Sequence, residues 1–343
     1  MDKKVTLQMV ADHAGVSVVT VSNVLTGKKG ASETVRNQIL SIAQEMGYKG
    51  RSEKKSRESK AYRIGVMIAE RYVKEYPSFY MDIYKKVAQE ASKHSCLTIL
   101  RVVGEEEERL EQEPMTFGYA GIQGIMMIGE MNPDFVAAVR EKECSSLVCV
   151  DFYDVDKDMD FIVTDNYGRT QEMTRRLIEW GHRDIVFVGT PQATNSIMDR
   201  YMGYCKALFV NGIPNPRVIC DRKKNQYWTM LDFELPDPLP TAFVCNCESS
   251  AHVLLKKLRG AGYRVPEDVS IVSFDRFQQE EDEGLDFTTY EADEEAMAEI
   301  SIKTLMKRIE GKGKPDGIHM VEGRVREGNS AGMRREDEAW AKQ

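Results

Sequence analysis

Val5-Thr6-Leu7-Gln8-Met9-Val10-Ala11-Asp12-His13-Ala14-Gly15-Val16-Ser17 runs directly into Val18-Val19-Thr20-Val21-Ser22-Asn23-Val24-Leu25. Leu7, Val10, Ala11 and Ala14 share one helical face, and Gly15 permits the positive φ of a tight turn. Ser17 is placed to cap a second helix whose first turn carries Thr20. Two short helices joined this closely form a device for seating a helix N-terminus in the DNA major groove. A third helix is predicted from a Ser32 cap. Val35, Ile39, Ile42, Ala43 and Met46 form its apolar stripe, and Gly47 stops it. Residues 1–49 therefore read as a three-helix domain.

The remainder of the 343 residues must hold whatever controls that device, and a 42% hydrophobic content supports a sizeable core. No apolar run approaches the ~20 residues of a membrane span. Met1-Asp2-Lys3-Lys4 leads into an amphipathic helix and not into an apolar leader, so a cytoplasmic location is expected. Residues 1–63 hold twelve Lys/Arg against six Asp/Glu, whereas the whole chain carries −8. A basic head on an acidic body is the electrostatic footprint of a DNA-binding module on a sensor that phosphate repels.

Catalytic signatures are missing from the sequence. There is no G-x-x-x-x-G-K-[ST], and Gly104 followed by four glutamates is no phosphate loop. Gly328-Asn329-Ser330-Ala331-Gly332 spells G-x-S-x-G but lies in the polar tail and opens no helix pattern, so no nucleophile elbow is read, and His13, His94, His182, His252 and His319 are not grouped. The seven cysteines are scattered, and Cys245-Asn246-Cys247 lacks the second pair a metal knuckle needs. Neither an enzyme, a cofactor nor a metal is expected.

Lys49 to Lys60 contains no apolar residue, which predicts a polar linker over residues 50–62. Beyond it, strand patterns at 63–69, 97–103, 123–128, 146–150, 161–164, 184–189, 217–220, 242–246, 269–274 and 288–291 alternate with helical ones. The helices fall at 79–95, 133–142, 168–180, 200–211, 249–261 and 294–309. Such alternation builds parallel sheets with helices on both faces. Residues 63–335 exceed one such sheet, so two lobes are expected. The first spans about 63–163 and 291–320, the second about 164–290 and 321–335. Ligands of α/β sheets bind beyond the carboxyl ends of the strands, which here means the cleft between the lobes.

These residues resemble the lactose-repressor/galactose-repressor family of bacterial transcription factors. The likeness rests on Thr6 to Leu25, Ser32-x-x-Val35-Arg36 and Met46-Gly47-Tyr48, and it continues through the body. There it is carried by Thr164-Asp165-Asn166-Tyr167-Gly168, Trp180-Gly181-His182-Arg183-Asp184-Ile185, Asp199-Arg200-Tyr201-Met202-Gly203-Tyr204 and Pro240-Thr241-Ala242. Val265-Pro266-Glu267-Asp268-Val269-Ser270-Ile271, Phe274-Asp275 and Thr288-Thr289-Tyr290 complete it. The resemblance implies an N-terminal helix-turn-helix domain plus a two-lobed sensor like a periplasmic binding protein. It also implies a homodimer on a palindromic double-stranded operator, and a small molecule in the cleft that controls it.

By family position Val18, Val19 and Asn23 read bases, and Thr6, Ser17, Thr20, Ser22 and Thr34 contact phosphates. Asn can pair with adenine and Val can pack on a thymine methyl. The hydroxyl residues have capping as an alternative role. The linker departs from the family, lacking the Pro, Ala and Leu of its minor-groove hinge helix, so weaker DNA bending is expected. In the sensor, Arg200, Asp275 and Asp151 occupy positions that meet effector hydroxyls, although Arg200 and Asp275 could instead form a salt bridge within a lobe. Tyr72, Phe79, Tyr80 and Trp228 supply apolar faces for a sugar, with Tyr84 nearby; core packing is the alternative for each. Cys247 stands where relatives place an amide that faces the ligand. A sugar is the expected effector. A nucleobase, or a solute-binding receptor without a regulatory role, is the alternative. The polar tail has no leucine heptads, which argues against a coiled-coil tetramer.

Overall fold

The computed structural model describes residues 5–25, 31–46, 62–75, 79–115, 117, 121–142, 146–154, 158–223, 229–230, 232–275 and 284–334. The chain divides into two compact units, Met1–Ala61 and Tyr62–Gln343. Residues 50–61 of the expected linker, Gly47, Tyr48 and Trp228 lie outside the described residues, and Tyr62, the linker's expected last residue, opens the first strand instead.

In the first unit, α1 spans Leu7–Ala14, α2 Val18–Leu25 and α3 Glu33–Glu45. Thr6 caps α1 by accepting from the Met9 amide at 3.3 Å. Gly15 closes it at φ +65°, a left-handed conformation that glycine takes without a Cβ penalty. Val10, Ala11, Val21, Val24, Ile39 and Ala43 form one small buried core.

The second unit begins with β1 (Tyr62–Ala69), α4 (Glu70–Glu75), α5 (Phe79–Lys93), β2 (Cys96–Val103), α6 (Glu105–Glu108), β3 (Gly124–Ile128), α7 (Pro133–Lys142), β4 (Leu147–Val150) and β5 (Asp160–Thr164). The chain then crosses to α8 (Asn166–Glu179), β6 (Ile185–Val188), α9 (Asn195–Val210), β7 (Arg217–Ile219), β8 (Arg222–Lys223), β9 (Thr229–Met230), β10 (Ala242–Cys245), α10 (Glu248–Gly260), β11 (Ser270–Phe274) and β12 (Thr288–Glu291). It returns for α11 (Glu294–Ile309) and β13 (Gly317–Val321), and crosses once more to β14 (Arg324–Arg326).

Two six-stranded sheets result, ordered β13-β5-β4-β3-β1-β2 and β14-β12-β11-β10-β6-β7. All their pairings are parallel except β12 with β14. The central strands β3, β4, β6, β10 and β11 are buried throughout, which is why they read as unbroken apolar runs. Met297, Ala298, Ile302 and Leu305 return α11 to the core of the first sheet. Met173 and Leu177 of α8, with Ile197 and Tyr204 of α9, pack on the second.

Several elements depart from expectation. α9 starts at Asn195, ahead of the expected 200, because the Thr194 hydroxyl accepts from the Ile197 amide at 3.2 Å. α8 starts at Asn166, capped by Asp165. Helices α4 and α6 and strands β8, β9, β13 and β14 were not expected. Strand β13 exposes Ile318 and Met320 and half-buries Gly317 and His319, so it lacks the buried-strand signal. Among the described residues, no helix is long and apolar enough to cross a membrane.

Candidate functional sites

In the three-helix unit, Ser17 Oγ accepts from the Thr20 amide at 3.1 Å and lies 2.8 Å from the Thr20 hydroxyl. Capping is thus part of what Ser17 and Thr6 do. Val19 projects from the start of α2 with 68% of its surface exposed. Val18 instead leans on the core formed by Val10, Val21 and Ile39. Thr34 is exposed on the first turn of α3, and Thr20, Ser22 and Asn23 are half-buried. The solvated start of α2 combines an apolar side chain, hydroxyls and an amide, groups that can meet a base edge and its flanking phosphates.

In the second unit, one cavity opens between the carboxyl ends of the two sheets. Its interior volume is about 50 Å3, and it is lined by Tyr72, Phe79, Tyr80, Asp151, Thr194, Ser196, Ile197, Arg200, Arg222, Asn246, Cys247 and Asp275. Seven of the eight effector residues named from the sequence therefore converge, and the eighth, Trp228, lies outside the described residues. Tyr84 packs on the core of the first sheet.

The two aspartates occupy equivalent places. Asp151 follows β4, and Asp275 follows β11, the corresponding strand of the second sheet. The Asp151 amide donates to the Ile162 carbonyl on the neighbouring strand at 2.9 Å, and the Asp275 amide donates to that of Tyr290 at 2.8 Å. Both residues have a left-handed backbone, φ +64° and +62°. Aspartate tolerates this region better than most side chains, at a cost of order 1 kcal/mol. Each carboxylate is buried, and each leaves Oδ1 without a hydrogen-bond partner.

Arg200 spans the floor of the cleft. Its Nε donates to Asn166 Oδ1 at 2.7 Å, and its Nη1 donates to the Asn246 carbonyl and lies 3.2 Å from Asp275 Oδ2. Its guanidinium stacks 4.6 Å over the Phe274 ring. Gly203 makes this reach possible: a Cβ there would lie 2.2 Å from the Tyr167 carbonyl, so only glycine lets α9 approach the start of α8. The salt bridge foreseen as an alternative for Arg200 and Asp275 is present, and both residues still line the cavity.

Arg222 sits beside the buried Asp221, which accepts from Asn246 Nδ2 at 2.5 Å, Ser250 Oγ at 2.6 Å and Thr190 Oγ1 at 3.0 Å. This network fixes Asn246 and Cys247. On the opposite wall Tyr80 donates to Asp151 Oδ2 at 3.1 Å. The Tyr72 and Tyr80 ring centres are 4.5 Å apart at 42°, and those of Phe79 and Tyr80 are 4.9 Å apart at 76°. Burial raises the Asp151 carboxyl to about 7, against the opposing pull of Arg200. Burial also raises Asp275, again opposed by Arg200.

Hydrogen bonds among the described residues join the sheets at the cleft. Glu130, after β3, accepts from the Asn195 amide at 2.6 Å, and the Tyr153 hydroxyl donates to Asp199 at 3.0 Å.

The sequence reading missed Asn166, Thr194, Ser196, Ile197, Arg222 and the amide of Asn246. Asn246 follows β10 directly, so the strand-end rule that found Asp151 and Asp275 reaches it too. Away from the cleft, Asp160, Asp316 and His319 lie close together, but Arg308 engages both Asp160 oxygens, at 2.6 and 2.8 Å, which makes the group an ion-pair network.

A three-helix module followed by two parallel sheets around a ligand cleft defines the class: a helix-turn-helix protein with a periplasmic-binding-protein-like sensor. Residues 6–50 match the bacterial regulatory proteins of the lacI family, and residues 174–331 match the periplasmic binding protein-like domain. The chain thus carries a lacI-family helix-turn-helix domain followed by a periplasmic-binding-protein-like domain. It is 27% identical to the probable HTH-type transcriptional repressor ExuR of Bacillus subtilis over 281 residues, covering 79% of this chain and 81% of that protein. The HTH-type transcriptional regulator CelR of Thermobifida fusca is 27% identical over 327 residues, covering 90% and 93%. The ribose operon repressor of Haemophilus influenzae is 24% identical over 312 residues, covering 89% and 92%. Among solved structures, a CelR–cellobiose complex shares the fold with TM-score 0.65 and 23% identity, covering 95% of this chain and 100% of that one. A lac repressor dimer bound to operator and an anti-inducer matches with TM-score 0.62 and 19% identity, covering 96% and 99%.

Proposed function

We propose that this chain is a transcriptional repressor that binds a palindromic operator as a homodimer and responds to a carbohydrate held between its two sheets. The observation that carries the reading is the convergence of Asp151, Arg200 and Asp275 with an aromatic wall on one cleft. Carboxylates and a guanidinium suit vicinal hydroxyls, and aromatic faces suit the apolar side of a pyranose. The named relatives include a ribose operon repressor and a regulator seen with cellobiose. In this reading Val18, Val19 and Asn23 meet bases, while Thr6, Ser17, Thr20, Ser22 and Thr34 meet phosphates.

The relatives also include PurR repressors, which keeps a nucleobase as the second reading. A planar base wants two parallel rings. The tilted and edge-on arrangement of Tyr72, Phe79 and Tyr80 favours a sugar. The test is fluorescence anisotropy of the purified chain on DNA from its own upstream region at fixed salt, titrated with sugars and purines. Release or tightening by one sugar is expected. A response to a purine alone, or no binding to any DNA by the folded protein, refutes the reading.

A further inference from the structure

Resting on the carbohydrate reading, we infer that the effector is a cationic sugar, one bearing a protonated amine that sits against Asp151. Three observations converge. First, Asp151 Oδ1 and Asp275 Oδ1 are both buried and unpartnered in the same cavity. An ionised carboxylate only accepts, so each orphan oxygen calls for a donor from the ligand.

Second, the lining sets two carboxylates, Asp151 and Asp275, against two guanidiniums, Arg200 and Arg222, but only Arg200 serves the two aspartates. Arg222 has a carboxylate of its own in buried Asp221. Arg200 is then the cation for both Asp151 and Asp275, and it lies at 3.2 Å from Asp275. Asp151 receives a neutral phenol hydroxyl from Tyr80. Behind the lining Glu130 and Asp199 add negative potential, and the nearby cation Arg71 is paired with Glu108. A buried negative excess is costly, and a ligand cation removes it. The rise of the Asp151 carboxyl to about 7, caused by burial with the Asp275 and Glu130 charges adding to it, accords with this.

Third, the wall beside Asp151 is a cluster of three aromatic rings, Tyr72, Phe79 and Tyr80. The Arg71 guanidinium already lies 4.5 Å over the Tyr72 ring, and the negative faces of Phe79 and Tyr80 attract an ammonium in the same way, beside a carboxylate. The same arrangement rejects uronates and sugar phosphates. Their anions would face two carboxylates, while Arg200 Nε and Nη1 are already committed to Asn166, the Asn246 carbonyl and Asp275.

The test is isothermal titration calorimetry on the full-length protein at pH 7.5 with matched sets: glucosamine, N-acetylglucosamine, glucose and glucuronate, and the corresponding galactose and mannose sets. In at least one set the amine should bind at least tenfold more tightly than both its neutral parent and its N-acetyl form, and the uronate should not bind. Asp151→Asn should bring the amine down to the affinity of the neutral parent while circular dichroism stays unchanged. If the neutral parents bind as tightly as the amines, or if no amine binds, the inference is overturned. Operator release by a neutral sugar would then leave the carbohydrate reading standing, and release by a purine alone would remove both.

Discussion

Asp151→Asn should make the protein more stable, and by an amount that depends on pH. The Asp151 carboxyl titrates near 7 in the folded chain and near 3.9 when unfolded. A carboxylate raised by folding costs nothing below its unfolded pKa. The cost grows as pH rises through the window from about 4 to about 7, because the unfolded chain ionises while the folded one holds its proton, and it is constant above. Three pH units at 1.36 kcal/mol each place the full cost at about 4 kcal/mol. Only about 1.5 kcal/mol of it is present at pH 5. Asparagine keeps the carbonyl that accepts from Tyr80 and tolerates φ +64°, but it never ionises. The variant should therefore gain roughly 2–3 kcal/mol more at pH 8 than at pH 5, a difference of about 5 °C in melting shift for a body of this size. Paired thermal melts of both proteins, followed by tryptophan fluorescence at pH 5 and pH 8, measure it. Equal shifts at the two pH values, or destabilisation at pH 8, would refute the idea that a buried, uncompensated carboxyl sits at the end of β4.

Arg200→Lys should cost about 2 kcal/mol and weaken effector binding at least tenfold, because one ammonium cannot serve Asn166, Asn246 and Asp275 together; unchanged melting and calorimetry would refute this. Val19→Ala should leave the melt of the three-helix unit unaltered yet weaken operator binding, whereas Ser17→Ala should lower its stability by about 1 kcal/mol through loss of the cap on α2. Circular dichroism and anisotropy separate the two, and equal effects on stability would count against the reading. Tyr153→Phe removes the bond to Asp199 that joins the sheets. It should widen the unliganded protein in small-angle scattering and weaken effector binding several-fold, and identical scattering and affinity would show that the contact does not hold the cleft.

Most of the scaffold was legible because parallel strands covered on both faces must be apolar throughout, and Ile125–Ile128 or Ile185–Val188 admit no other reading. The short and edge elements were not legible. Strand β13 alternates Ile318 and Met320 outward with half-buried His319, and α6 is four glutamates whose helix depends on distant partners, with Glu107 held by Arg101 and Glu108 by Arg71. In the cleft, Asp151 and Asp275 could be found because a polar residue ending an apolar strand has one direction to point. Arg222 opens the two-residue strand β8, too short to register, and Asn166 enters through the crossover to α8, so both depend on tertiary placement.

The cleft has the connections a switch requires. The chain passes between the sheets at 164–166, 291–294 and 321–324, and these passages are tied together. Thr164 Oγ1 donates to the Val321 carbonyl at 3.3 Å, and the Gly323 amide donates to the Tyr290 hydroxyl. A rotation of one sheet against the other about these passages would break the Glu130–Asn195 and Tyr153–Asp199 contacts. Asp151 belongs to one sheet and Asp275 to the other. A ligand that donates to both orphan oxygens therefore binds the closed arrangement better than the open one, and that difference in affinity is what lets an effector shift a conformational equilibrium. A ligand held by Arg200 and Asp275 alone would occupy one sheet and shift nothing. On this argument the side chain on which regulation depends is Asp151, so Asp151→Asn should uncouple operator affinity from the effector even at concentrations that saturate the cleft. Anisotropy titrations at saturating effector measure this, and an unaltered operator response in the variant would refute it.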